Sequence, residues 1–296
     1  MPFLASSLTS SRTRVLTPGR ISLSLALLLT TVSCAAQPAS ESAGSSTPAP
    51  AYPTHVHGLV VKPGTQEVLI ASHEGLFEVH GADVQSVGAN IDLMGFTITG
   101  GGKYLASGHP GSGVDLPNPV GLIRSSDGQI WEQVALGGES DFHTLTAVKD
   151  GIIGFDGALK VSPDGGQWTD TTTQISPYNL AGNPASEVAI ATTEDGIYRS
   201  LDAGRTWTKD AGAPIVLVAA VTSESTIIGV LPTGEVMKSS DEGLTWAEMG
   251  KVSGQPSAVA AAETPEGMDI WVTTENGLEQ STDGGQTFAT TVPATT

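Results

Sequence analysis

Ser200-Leu-Asp202-Ala-Gly204-Arg-Thr206-Trp207 returns as Ser239-Ser-Asp241-Glu-Gly243-Leu-Thr245-Trp246, and again as Ser281-Thr-Asp283-Gly-Gly285-Gln-Thr287-Phe288. Two shorter copies precede them, Ser125-Ser-Asp127-Gly-Gln-Ile-Trp131 and Ser162-Pro-Asp164-Gly-Gly-Gln-Trp168. The aspartates are spaced by 37, 38, 39 and 42 residues, a near-constant period that marks a repeat architecture. Each copy has the chemistry of a tight turn. An Asp carboxylate accepts backbone N–H groups, a Gly supplies positive φ, and the aromatic packs between neighbouring repeats.

Upstream of every copy stands a Gly and a short strand: Gly121-Leu-Ile-Arg, Gly157-Ala-Leu-Lys, Gly196-Ile-Tyr-Arg, Gly234-Glu-Val-Met-Lys and Gly277-Leu-Glu-Gln. The same lead-in occurs once more at Gly75-Leu-Phe-Glu-Val, with its turn eroded to His80-Gly-Ala-Asp83. Six repeats therefore run from about Thr54 to Val292. Within a repeat, short runs rich in Val, Ile and Thr alternate with Gly, Asn and Asp turns. In the fifth these runs are 215–221, 226–230, 235–239 and 245–249. Four strands at a period near 40 make a propeller blade. The expected fold is all-β, a six-bladed β-propeller over residues 54–296. No N-terminal strand is left over to complete the last blade.

The repeated turn, S-x-D-x-G-x-T-W, resembles the Asp-box or BNR repeat of sialidase-like β-propellers. The chain also resembles a bacterial group labelled glycosyl hydrolase, through His55-Val-His57-Gly-Leu59, Asp92-Leu-Met-Gly-Phe96, Ser107-Gly-His-Pro-Gly111, Asp115-Leu-Pro-Asn-Pro119 and Asp141-Phe-His143. The resemblance implies that the boxes join third and fourth strands on the face away from the ligand pocket, so the five box aspartates are structural. True sialidases clamp the substrate carboxylate with three arginines. After the leader this chain keeps only Arg124, Arg199 and Arg205, all leading away from the pocket face, which argues against sialidase activity.

Residues 1–33 read as an export leader. Arg12, Arg14 and Arg20 precede a nine-residue apolar run at 21–29, too short to span a bilayer. Cys34, the one cysteine of the chain, follows where a lipobox would place a lipidated residue. Residues 34–53 are rich in Ala, Ser and Pro and form a flexible tether. The chain is thus expected outside the cytoplasm, membrane-anchored only through Cys34, and monomeric.

The 296 residues carry 13 basic and 31 acidic side chains, a net charge of −18. Loss of the three leader arginines takes the balance to −21. Such a chain lacks the basic footprint that phosphate backbones require, so nucleic acid is excluded as a partner. One cysteine excludes a disulfide framework and a Cys-rich metal site.

Laid on the blade template, five of the six histidines fall on one face, at the starts of innermost strands or in second-to-third turns. They are His55, His57, His73, His109 and His143, all in blades one to three. His55 and His57 stand two apart in a strand, so both are expected on one side. Together with His143 they are the first-choice ligands for a divalent metal ion, with His73, His109 and Asp92 next. Asp115, Asp141 and Asp156 are supporting carboxylates. An insertion at 107–120 lengthens the turn in blade two over the same face. The expected function is binding of a metal ion or small polar ligand at this His/Asp face. One alternative is a glycoside hydrolase acting on a glycan with two of Asp92, Asp115, Asp141 and Asp156. A further alternative is a non-catalytic, protein-binding assembly factor. All five Trp read as blade residues, which disfavours a carbohydrate platform.

Overall fold

The structure is a computed structural model that describes residues 52–222 and 226–294. The leader and Cys34 lie outside the described residues, as does all of the tether but Tyr52 and Pro53. The described residues form six four-stranded antiparallel sheets, each of four consecutive strands paired in order. The all-β, six-bladed propeller is therefore as expected. Blade one comprises Val56–Val61, Val68–Ser72, Gly75–His80 and Asp83–Val87. Blade six comprises Pro256–Thr264, Gly267–Thr274, Gly277–Ser281 and Ala289–Pro293. The eroded copy in blade one is a tight hairpin, with His80 paired to Asp83 and Gly81 at φ 64°.

Strand ends in blade five differ from the sequence reading. The first strand is Val218–Val221 and the last is Ala247–Lys251. Thr245 belongs to the turn because Asp241 Oδ1 takes its N–H at 2.9 Å and Asp241 Oδ2 takes its hydroxyl at 2.6 Å.

The five turns at Asp127, Asp164, Asp202, Asp241 and Asp283 share a hydrogen bond from a glycine amide to the Ser hydroxyl. In the three long copies the Asp accepts the amide four residues on, at 2.8–3.0 Å. The preceding Ser accepts a glycine amide, and that glycine has φ between 79° and 93° in all five. Trp168, Trp207 and Trp246 donate their indole N–H to that glycine's carbonyl. The hydroxyl and amide of Thr245 and the Ser239 hydroxyl hold the Asp241 carboxyl at about 2. Asp283 is held lower still by Thr287. A depressed carboxylate adds stability that is present above its unfolded value near 4 and lost as pH falls through the folded value. Unfolding temperature is therefore expected to fall steeply between pH 4 and 2. Asp241→Asn together with Asp283→Asn should flatten that slope while lowering stability at pH 7. An unchanged slope in the double variant would contradict the assignment.

Among the described residues there is no single core. Six apolar clusters each join two adjacent blades, so every blade is sandwiched between its neighbours. Polar side chains add links between innermost strands. Thr97 Oγ1 accepts Ala147 N, Thr144 Oγ1 accepts Leu180 N, and Asn179 Oδ1 accepts Ala219 N, all near 2.9–3.0 Å. The seam between blades one and six shares no strand. It closes on a cluster containing Tyr52, Ile70 and Phe77 against Trp271, Leu278 and Val292. Gln66 Nε2 also donates to Asp269 Oδ2 across the seam at 2.9 Å.

Candidate functional site

The antiparallel order of each blade puts first-strand starts and second-to-third turns at one end of the sheet. The five histidines stand there, and the structure divides them into two groups, each centred on a carboxylate. In the first, His57 Nε2 lies 3.8 Å and His73 Nδ1 2.8 Å from Asp92 Oδ1. One ligand atom from each of these three residues falls within 4.8 Å of the others. In the second, Asp141 Oδ2 receives His143 Nε2 at 2.9 Å and His109 Nε2 at 3.2 Å. His109 Nδ1 faces Asn118 Oδ1 at 2.8 Å.

The grouping departs from the strand alternation read in the sequence. His55 precedes the first strand with φ 47°, a left-handed conformation uncommon outside glycine. The ladder between the first two strands then slips at His57, pairing Val56 with Ser72 but Gly58 with Ala71. This bulge re-aims His57. His73 takes the place expected of His55, and its ring packs edge-on against His57 at 4.6 Å and His55 at 5.1 Å. His143 joins Asp141 instead of His57.

The first group holds unsatisfied polar atoms. His57 Nε2 and Asp92 Oδ1 are buried without a hydrogen bond, and His73 approaches that oxygen off the line a hydrogen bond needs. Burial, followed by the neighbouring His73, pushes the His57 ring below its usual value. Glu74 adds a buried, unpaired Oε2 while Thr54 holds its other oxygen. In the second group, Asp141 Oδ1 is likewise buried and unpaired. The contact with Asn118, then the charge of Asp141, raises the His109 ring above its usual value.

The other expected carboxylates join neither group. Asp156 is bonded to Lys160 Nζ at 2.6 Å and Ser140 Oγ at 2.5 Å. Burial opposes its charge, but these two partners hold its carboxyl below the usual range. Asp115 is exposed in the loop that follows the second strand of blade two, Tyr104–Pro110.

Two supporting residues escaped the sequence reading. Ser107 Oγ accepts Phe142 N at 2.9 Å, tying blade two to the strand start that carries Asp141 and His143. Asn118 fixes His109 from the insertion. Glycines let these segments approach. A Cβ at Gly108 (φ 141°) would stand 1.9 Å from Asp92 O, and one at Gly95 would stand 2.6 Å from Phe142 O. Ser107 and Asn118 both stand inside motifs quoted above, but a side chain's hydrogen-bond partner leaves no periodic trace, so neither was singled out as a site residue.

No family model matches the chain, and no curated protein matches it. Solved structures resemble it at low identity. A GH74 enzyme of Niastella koreensis superposes with TM-score 0.56 at 15% identity, covering 81% of this chain and 38% of the enzyme. The chain thus spans about two fifths of that enzyme's length. A gluconolactonase of Xanthomonas campestris gives TM-score 0.59 at 13% identity, covering 77% of this chain and 86% of the other. YCF48, solved with a D1 peptide, gives TM-score 0.52 at 16% identity, covering 80% and 82%. At these identities the likeness is one of fold: this chain is a six-bladed β-propeller carrying a His/Asp cluster at one end of its first blades.

Proposed function

We propose that the propeller binds a first-row transition-metal ion, with His57 Nε2, His73 Nδ1 and Asp92 Oδ1 as ligands. The observation that carries this is a pair of buried ligand atoms without a hydrogen bond, His57 Nε2 and Asp92 Oδ1, beside a second imidazole nitrogen. In a tetrahedral zinc site, bonds near 2.0–2.2 Å put neighbouring ligand atoms about 3.4 Å apart. The separations here, 2.8 and 3.8 Å from Asp92 Oδ1, bracket that distance, and all three atoms lie within 4.8 Å of one another. Two imidazoles and one carboxylate favour zinc, copper or nickel over calcium or magnesium. Three protein ligands leave coordination open for water or a ligand oxygen. His143, His109 and Asp141 stand as a separate hydrogen-bonded group on the same face.

The sequence further supports export and a lipid anchor at Cys34, which would hold this face outside the cytoplasm on a flexible tether. A second reading is glycoside hydrolysis by Asp92 and Asp141. Both carboxylates keep a buried unpaired oxygen, and GH74 enzymes share the fold. The charge-neutralised Asp156 suits that role least.

The test is elemental analysis of the purified protein, followed by titration of the metal-free form with Zn(II), Ni(II) and Cu(II). One equivalent is expected, with affinity lowered at least ~100-fold by His73→Ala. Free metal at a hundred times its Kd should stabilise the fold by about 2.7 kcal/mol, and His73→Ala should remove that gain. Equal binding by parent and His73→Ala would overturn the assignment. A metal-free parent that cleaves aryl glycosides would favour the second reading.

A further inference from the structure

A cavity of about 890 Å³ runs down the middle of the propeller. Its far end is ringed by residues 62–66, 183–185 and 263–265, which lie in or beside first-to-second strand turns, at the opposite end of the blades from the histidines. Its near end includes His57 and Met94. His57 is thus shared between the cavity and the proposed cation site.

The wall has a definite chemistry. Each innermost strand is the terminal strand of its sheet, so it turns one backbone edge away from its own blade. Side chains from adjacent blades take up some of those edge groups, as Thr97, Thr144 and Asn179 do. The lining side chains are mostly small or neutral, among them Gly58, Ala181, Ala220, Thr146 and Asn183. The two charged ones are already engaged. Lys62 is held by Glu67 and Glu78, and Glu263 accepts the Thr222 hydroxyl at 2.8 Å. Such a wall offers donors and acceptors without net charge, and its volume suits a small molecule.

We propose that the central channel takes the body of an uncharged, hydroxyl-rich ligand that enters from the turn face and places an oxygen donor on the cation at His57. This inference rests on the cation reading above, but it assigns a different feature, the channel and its mouth. Backbone edges favour hydroxyls, which donate and accept, over an alkyl chain that would leave them unpaired.

Two hydroxamates carry the same chelating head and differ in the body. Acetohydroxamate has one methyl group, and gluconohydroxamate has a five-carbon polyhydroxyl chain. Both are titrated into the Co(II)-loaded full chain and followed by the d–d absorption. Gluconohydroxamate is expected to bind at least tenfold more tightly. Ala185→Trp at the exposed mouth and Ala220→Leu in the wall should each erase that difference, leaving the Co(II) spectrum and acetohydroxamate affinity as in the parent. Equal affinities in the parent, or a difference that survives both variants, would overturn the channel and leave the cation site standing. Absence of any Co(II) band in the parent would overturn both.

Discussion

Phe142→Ala is expected to destabilise the protein by about 3–5 kcal/mol, the range for losing a fully buried aromatic ring. Phe142 is wholly buried, and its ring centre lies 4.4 Å from that of Trp168. The space it leaves has little to fill it. The backbone beside it is Gly95 and Gly154, whose Cβ positions would fall 2.6 Å from Phe142 atoms, so no side chain stands ready there to relax inward. The residue also sits between Asp141 and His143, and its N–H is held by Ser107. The second His/Asp group should therefore loosen along with the core. Phe142→Leu, which keeps most of the volume, should cost about 1.5 kcal/mol or less. Equilibrium unfolding in denaturant measures both. A loss under 1 kcal/mol for Phe142→Ala would show that the ring is not the anchor described.

Gly108→Ala is expected to reduce stability and cation affinity together. At φ 141° any side chain is strained, by about 1–3 kcal/mol. The added Cβ would also meet Asp92 O at 1.9 Å, so the strand carrying Asp92 must move. Gly113→Ala is the matching control. Its φ of 81° is also left-handed, but nothing lies within 4 Å of its Cβ position. That variant should lose some stability and keep the parent's metal affinity. Thermal unfolding with and without Zn(II) separates the two effects. Parent-like affinity in Gly108→Ala would mean that the Asp92 backbone does not set the ligand geometry.

Blade number and phase were legible because the Asp turn recurs where a third strand hands over to a fourth in five of the six blades. The period of that chemistry carries through the sequence even in the eroded copy at His80. The face carrying the histidines was legible for the same reason, since strand direction follows from turn order. The grouping within the face was not. It depends on the positive φ of His55 and the slipped register at His57, two local backbone choices that break the alternation from which His55 and His57 were paired. The pairing of Asp156 with Lys160, on the next strand of the same hairpin, was not legible, because proximity in sequence does not reveal which charges will meet.

The seam between blades one and six differs from the other five interfaces in what must happen before it can form. Blades that follow one another in the chain meet across a short connection. The seam joins Gln66 to Asp269 and Tyr52 to the last blade, more than two hundred residues on. Closing so long a loop carries an entropy that grows only slowly with length, about 0.6 kcal/mol for each doubling. It nevertheless brings no reward until both terminal blades exist. Assembly should therefore run blade by blade and finish at the seam, which acts as the clasp of a bracelet. The His/Asp cluster proposed as a cation site lies in the first two blades, and so does not wait for the clasp, whereas the channel is enclosed only once the ring is fastened.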